Sequence, residues 1–158
     1  MKHLKKLAAL LLVGVLALSL LTACGGGDGS TSADTQAEAA VMAAINETQN
    51  RSGKDKLQNS SELRETARRD LDAAIKLGNL SSSFTYKSHT DLKNGKVGGT
   101  FIAKCDYKDT DLAELIKTDT NIKSHLVNKW SDVGVVVWTN KNNGQTYIAI
   151  SVVFEFNT

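Results

Sequence analysis

The sequence predicts a mixed α/β fold, a three-layer α-β-α sandwich around a short antiparallel sheet. Every aromatic residue lies from Phe84 onward, and the part before it is rich in Ala and Leu. This distribution favours helices first and strands later. The run 147–156 is apolar at nearly every position, and a strand that is apolar on both sides is typical of a sheet covered on both faces.

The first 23 residues predict a signal peptide. They combine three lysines and no acid with a short apolar stretch over 7–18, which is too short to cross a bilayer comfortably. Leu21-Thr22-Ala23-Cys24 then precedes glycine and resembles the lipobox of bacterial lipoproteins. This resemblance implies that the chain is cut before Cys24 and that the Cys24 thiol carries a lipid. A plain secretory leader or an anchor helix fits less well, because small residues directly precede the cysteine.

Residues 24–35 are rich in Gly and Ser, which is typical of a flexible tether. The expected layout is therefore a signal peptide over 1–23, a lipidated Cys24 with its tether over 24–35, and one domain over 36–158. Acyl chains contribute about 0.8 kcal/mol per buried CH₂, so we expect the protein to be extracytoplasmic and lipid-anchored at the cell membrane. Cys105 then has no disulfide partner, and its alternating apolar neighbours favour burial.

The charge of the expected mature chain excludes one class of partner. Removing the leader leaves 16 basic and 17 acidic residues, with four arginines and no basic run. Nucleic-acid binders carry a basic patch or stripe. We therefore expect no nucleic-acid partner.

Periodicity and capping residues predict the order of the elements. A first helix covers 34–50, and a second runs from cap candidates at 59–62 to Gly78. The polar segment 80–99 is predicted to be a long loop. The remaining predictions are a short helix over 110–118, a helical turn over 121–127, and two strands, Val133–Thr139 and Tyr147–Phe156, joined by a hairpin turn at 140–144.

Several short motifs occur in the order found in the CAP superfamily, which comprises cysteine-rich secretory proteins, antigen 5 and pathogenesis-related proteins. The chain resembles this family over roughly 36–156. The motifs that carry the resemblance are Ile45-Asn46-Glu47 with Arg51 and Gly53, Ser88-His89-Thr90 with Asn94-Gly95, His125-Leu126-Val127-Asn128, and Val133-Gly134-Val135.

The resemblance implies a central cleft in which two histidines and two glutamates can hold a divalent metal. His89 and His125 match the two histidines, Thr100 stands where the first glutamate belongs, and Glu114 is the nearest candidate for the second. A hydroxyl does not supply the anionic oxygen that favours zinc. Trp130 follows His125 by five residues and is expected near the cleft or in the core. The two histidines are equally expected to bond loop backbone instead of a metal.

No GxSxG, HExxH or P-loop pattern occurs, so we expect no catalytic residues. The leading functional prediction is non-catalytic binding of a ligand or an envelope protein, such as a lipid or wall component, in the cleft near His89 and His125. The alternative is a hydrolase that uses a divalent metal such as zinc on those histidines. A transporter's solute receptor ranks last, because the domain lacks room for two lobes.

Overall fold

The computed structural model describes residues 31–92, 96–106, 111–126 and 129–155. The predicted leader, the lipobox and most of the predicted tether lie outside this range. No helix within it is long and apolar enough to span a membrane. The helices are α1 (Ser32–Thr48), α2 (Ser61–Leu77), α3 (Leu112–Thr118) and α4 (Thr120–Leu126), and the strands are β1 (Thr85–Leu92), β2 (Lys96–Cys105), β3 (Trp130–Thr139) and β4 (Thr146–Phe154).

The four strands form one antiparallel sheet in the order β1-β2-β4-β3. In its centre, Ile150 of β4 pairs with Phe101 of β2 on one side and with Val135 of β3 on the other. The β3–β4 pair is the hairpin predicted around residues 140–144. The prediction of a mixed α/β fold is therefore confirmed.

Two hydrophobic clusters contact the sheet. The larger one includes Phe101 and Ala103 of β2 with buried residues of α1, α3 and α4. The smaller one includes Ile102 of β2 with Ala67 and Leu71 of α2. Side chains alternate between the two faces along a strand, so these two clusters lie on opposite faces of the sheet.

The two long helices begin and end where their capping residues predict. The α1 N-terminus is a capping box, in which the Thr31 hydroxyl accepts from the Asp34 N–H and the Asp34 carboxylate accepts from the Thr31 N–H. The Ser60 hydroxyl accepts from the third N–H of α2, and Gly78 ends this helix with a left-handed φ of 70°. Both predicted helices are confirmed to within two residues at the bounds that the prediction stated.

The predicted loop over 80–99 is wrong, because β1 and the start of β2 lie within it. β1 is an edge strand, and its side chains are mostly exposed, with only Tyr86 and His89 half-buried among those described. A strand with so little buried surface has no need of the apolar alternation by which strands are predicted. Cys105 ends β2 as a buried, free thiol, so its predicted burial is confirmed.

Side chains from α1 and the α1–α2 connection cover the outer edge of β3. The Asn59 amide binds both the N–H and the carbonyl of Val135, at 2.8 and 3.2 Å. The Ser60 N–H donates to the Val133 carbonyl, and the Glu38 carboxylate accepts from the Val137 N–H at 3.1 Å. An edge satisfied in this way is not available for pairing with another chain.

α1 lies along β3 and defines two ends of the molecule. At its start, the Thr139 hydroxyl donates to the Asp34 carboxylate at 2.6 Å. Beyond its last turn, the Trp130 N–H donates to the Gln49 carboxamide oxygen. We call the end with the β3–β4 turn, residues 140–145, the near end, because α1 begins there and the chain from Cys24 therefore joins the fold there. The end with Trp130 and Lys96 is the far end.

Candidate functional site

His89 belongs to a set of polar side chains between β1, β2, β4 and α2, which we call the polar cluster. Its centre is Asp70 of α2, whose side chain is 2% exposed. One carboxylate oxygen of Asp70 lies 2.6 Å from the Lys87 ammonium, and the other lies 2.7 Å from both His89 Nε2 and the Thr100 hydroxyl. The Thr100 hydroxyl also lies 2.6 Å from the Ser151 hydroxyl.

These partners keep Asp70 ionised inside the fold. Burial by itself would raise the pKa of Asp70, but hydrogen bonds from Lys87, Thr100 and His89 outweigh it and hold the pKa below its ordinary value of 3.8. The polar cluster therefore stabilises the fold only while the Asp70 carboxylate is charged. It connects the middle of α2 to three strands at once.

The polar cluster does not have the geometry of a catalytic triad. In a triad, the histidine bonds the acid through one ring nitrogen and the nucleophile through the other. Here the same atom, His89 Nε2, lies 2.7 Å from Asp70 and 3.1 Å from the Thr100 hydroxyl. Thr100 and Ser151 are also buried, at 0% and 1% exposure. The arrangement is suited to holding α2 on the sheet.

His125 lies in a different environment, which we call the aromatic cluster. Its ring centroid is 4.2 Å from that of Tyr86 and 5.2 Å from that of Phe101, and it stacks more distantly on Phe154. Its Nδ1 lies 2.7 Å from the Asn121 carbonyl one turn back along α4. A ring nitrogen facing a carbonyl oxygen must carry the proton, so Nδ1 is the donor.

The two histidines do not share a cleft, and this prediction is wrong. Tyr86 of β1 faces His125, whereas Lys87 and His89 of the same strand face Asp70. Side chains at neighbouring positions of a strand point to opposite faces of the sheet, and those two positions apart point to the same face. The sheet therefore separates the two imidazoles, and a metal held by both is excluded. Among the described residues, no group of three or more His, Cys, Asp or Glu is placed to hold a metal ion.

The other predicted cleft residues divide in the same way. Thr100 lies beside His89, as the resemblance implied, but on the face away from His125. Trp130 is fully buried and its indole N–H donates to the His125 carbonyl, so it is a core residue of the aromatic cluster. Glu114 is exposed in the first turn of α3, where its N–H donates to the Asp111 cap. No contact links Glu114 to either histidine in the part of the chain that the structure describes.

A third feature is an open cleft at the near end, of about 730 Å³. Its walls combine apolar side chains with hydroxyl, amide and charged groups, and come from four separate segments. The lining residues are Leu80, Ser81, Ser82, Lys104, Cys105, Asp106, Leu115 and Gln145. We call it the near-end cleft. Burial, with a smaller contribution from Asp106, raises the pKa of the Cys105 thiol to about 12, so this thiol is not a nucleophile at neutral pH.

Sequence reasoning missed the centre of the polar cluster, although a signal was present. Asp70 lies among Ala67, Leu71 and Ala74 on the apolar stripe of α2. A carboxylate on a buried helical face requires partners inside the fold, so its position alone predicts a buried ion pair. The near-end cleft has no comparable signal, because its lining residues are far apart in the chain.

No family model matches this chain, and no curated protein matches it significantly. Its function must therefore be inferred from its own residues.

Proposed function

We propose that this chain is a lipid-anchored extracytoplasmic domain that binds a ligand without catalysis, in the near-end cleft. The observation that carries this proposal is the cleft itself, a concave surface of mixed polarity at the end of the fold where the chain to Cys24 enters. Membership of the CAP superfamily and its three-layer sandwich remain predictions. The separation of His89 from His125 removes the main structural reason for the resemblance.

The proposed anchor is supported by the lipobox and by where the fold starts. Cys24 precedes Thr31, the N-cap of α1, by only seven residues. A chain of that length leaves no room for another domain between the lipid and the fold. The folded domain is therefore proposed to lie directly against the outer surface of the membrane.

The proposed absence of catalysis is supported by what the reactive groups already bind. Asp70, His89 and Thr100 donate to or accept from one another inside the polar cluster. A group engaged in this way must break a buried charge-assisted hydrogen bond before it can act on a substrate. The metal-dependent hydrolase is not proposed, because the sheet separates its two histidines.

Ligand binding in the near-end cleft is supported by its chemistry. Leu80 and Leu115 supply apolar surface, while Ser82 and Lys104 supply donors at its rim. Ligand sites in proteins are typically concave, with apolar walls and a few polar groups that orient the ligand. These groups fit an amphiphilic ligand with an anionic or hydroxylated head.

The proposal is tested by photo-crosslinking in living cells. A benzoylphenylalanine placed at Ser82, an exposed residue of the cleft, is expected to form adducts on irradiation. The same side chain at Lys129, an exposed residue next to the far end, serves as the matched control. Mass spectrometry then assigns each adduct to a lipid, a glycan or a protein.

Adducts at Ser82 that exceed those at Lys129 support the proposal, whatever their class. Equal or absent adducts at the two positions overturn the binding role of the cleft. The intact mass of the same preparation tests the anchor separately. A chain that starts at Cys24 and carries acyl groups is expected, and a chain without lipid contradicts the anchored function.

A further inference from the structure

We propose that the near end of the domain docks on the lipid headgroups of the membrane that holds its anchor, so that the near-end cleft opens toward the bilayer. This inference rests on the proposed lipid anchor and deepens the proposed function by naming the partner as a lipid surface. It is carried by the geometry of α1 and by the side chains exposed at the near end.

The covalent limit of the tether restricts which surface can touch the membrane. Six residues, 25–30, lie between Cys24 and Thr31, and the seven Cα–Cα steps from Cys24 to Thr31 span at most about 25 Å. α1 has 17 residues, which corresponds to about 25 Å along its axis. Because α1 starts at the near end and ends beside Trp130, the far end is one full helix length farther from the anchor. The far end can meet the membrane only when the tether is almost fully extended, so the near end is the surface held closest to the lipid.

The side chains exposed at the near end fit a lipid surface. Leu77 is 74% exposed, the one large hydrophobic side chain exposed to this degree among the described residues. It ends α2 three residues before Leu80, which lines the cleft. Lys104 and Lys141 are also exposed there, on β2 and on the β3–β4 turn. Asp106 is the acidic group that lines the same cleft, so the local charge is only weakly positive.

A weak surface of this kind becomes effective because the anchor supplies proximity. A tethered surface meets its partner at a high effective concentration, so contacts that would not hold a free protein suffice for docking. A lysine near an anionic leaflet contributes about 1 kcal/mol, which is about fivefold in the docked population. Because Asp106 offsets one of the two lysines, the expected net electrostatic gain is about one charge, or about fivefold, to which the exposed leucine adds.

The test uses the mature lipoprotein reconstituted in vesicles of phosphatidylcholine, with and without phosphatidylglycerol. Amine-reactive labelling followed by mass spectrometry measures the accessibility of each lysine, and the same protein in detergent is the reference. In vesicles with phosphatidylglycerol, we expect labelling of Lys104 and Lys141 to fall about fivefold. Labelling of Lys96 and Lys129 at the far end is expected to stay within twofold of the reference.

Charge reversal provides the matched variants. The double variant K104E/K141E is expected to label at its near-end Lys76, in the last turn of α2, as strongly as in detergent, because docking is lost. The control K96E/K129E keeps the protection of Lys104, Lys141 and Lys76. All four positions are exposed, so neither variant removes a buried contact. Circular dichroism verifies that each variant is folded.

Three results are distinguishable. Protection confined to the near end and lost in K104E/K141E supports docking. Equal labelling of both ends in lipidated protein overturns docking and leaves the anchored, ligand-binding function intact. A preparation that carries no lipid contradicts the proposed function itself. That result overturns docking as well, because a surface this weak needs the anchor to supply proximity.

Discussion

Replacing Asp70 with Asn tests the structural role of the polar cluster. The substitution keeps the size of the side chain but removes the charge that Lys87, His89 and Thr100 share. Hydrogen bonds to a charged group contribute about 1.5–3 kcal/mol each. The Lys87 side chain is 55% exposed, so its ion pair adds little. His89 and Thr100 both bond the same carboxylate oxygen, so an Asn oxygen at that position keeps both bonds in neutral form, at about 0.5–1.5 kcal/mol each. D70N is therefore expected to lower the free energy of unfolding by about 2–3 kcal/mol.

The assay is equilibrium unfolding in urea, followed by circular dichroism. The control is D72N, because Asp72 pairs with Arg68 on the surface at 3.2 Å and its side chain is 48% exposed. D72N is expected to change the free energy of unfolding by less than about 0.5 kcal/mol. The pKa of Asp70 lies below its ordinary value of 3.8, so its stabilisation is present above about pH 4 and is lost as the pH falls through the folded pKa. The difference in free energy of unfolding between wild type and D70N must therefore become smaller at acidic pH. A D70N variant as stable as D72N at neutral pH would refute the role assigned to the cluster.

Three further substitutions or measurements address other parts of the fold. In G134A, the new Cβ lies closer to the backbone of Leu63 and Arg64 than van der Waals contact allows. The free energy of unfolding is therefore expected to fall by about 1–3 kcal/mol. A urea unfolding curve no different from that of wild type would contradict the close approach of α2 to β3. Burial raises the pKa of Glu38, and Arg64 only partly offsets this rise. The folded state therefore takes up a proton before the unfolded state does, and wild type gains stability relative to E38Q as the pH falls from about 7 to 4.5. A stability difference between the two proteins that does not change with pH would contradict the burial of Glu38. With a thiol pKa of about 12, only about one Cys105 in ten thousand is a thiolate at pH 8. Iodoacetamide is therefore expected to label Cys105 in the unfolded protein but not in the native one. Rapid labelling of the native protein would contradict the burial of Cys105.

The helices and the terminal hairpin could be predicted because local chemistry determines them. Thr31, Ser60 and Gly78 mark helix ends by the hydrogen bonds and backbone angles that only those positions require. The turn over 140–144 marks the hairpin. β1 could not be predicted, because its place at the sheet edge depends on β2, and an edge strand with polar side chains looks like a loop.

The prediction of a shared histidine cleft was wrong for a different physical reason. The order of the motifs predicted that His89 and His125 lie together. The face of the sheet to which a strand residue such as His89 points depends on the strand register, however, and a shift of one residue reverses that face. Nothing local to Ser88-His89-Thr90 fixes that register. The buried carboxylate of Asp70, by contrast, was predictable from its position on the apolar stripe of α2, because a charge there requires a partner.

The orientation of the domain on the membrane is measured most directly by fluorescence quenching. A fluorophore is attached at N142C, in the β3–β4 turn of the near end, or at K129C next to the far end, both exposed positions. The buried Cys105 does not compete for the label. The two ends of a ten-residue strand such as β3 are about 30 Å apart, so a nitroxide on the lipid headgroup distinguishes them. Strong quenching at 142 with little at 129 is the result expected of a near end that faces the bilayer, and equal quenching or stronger quenching at 129 would contradict it.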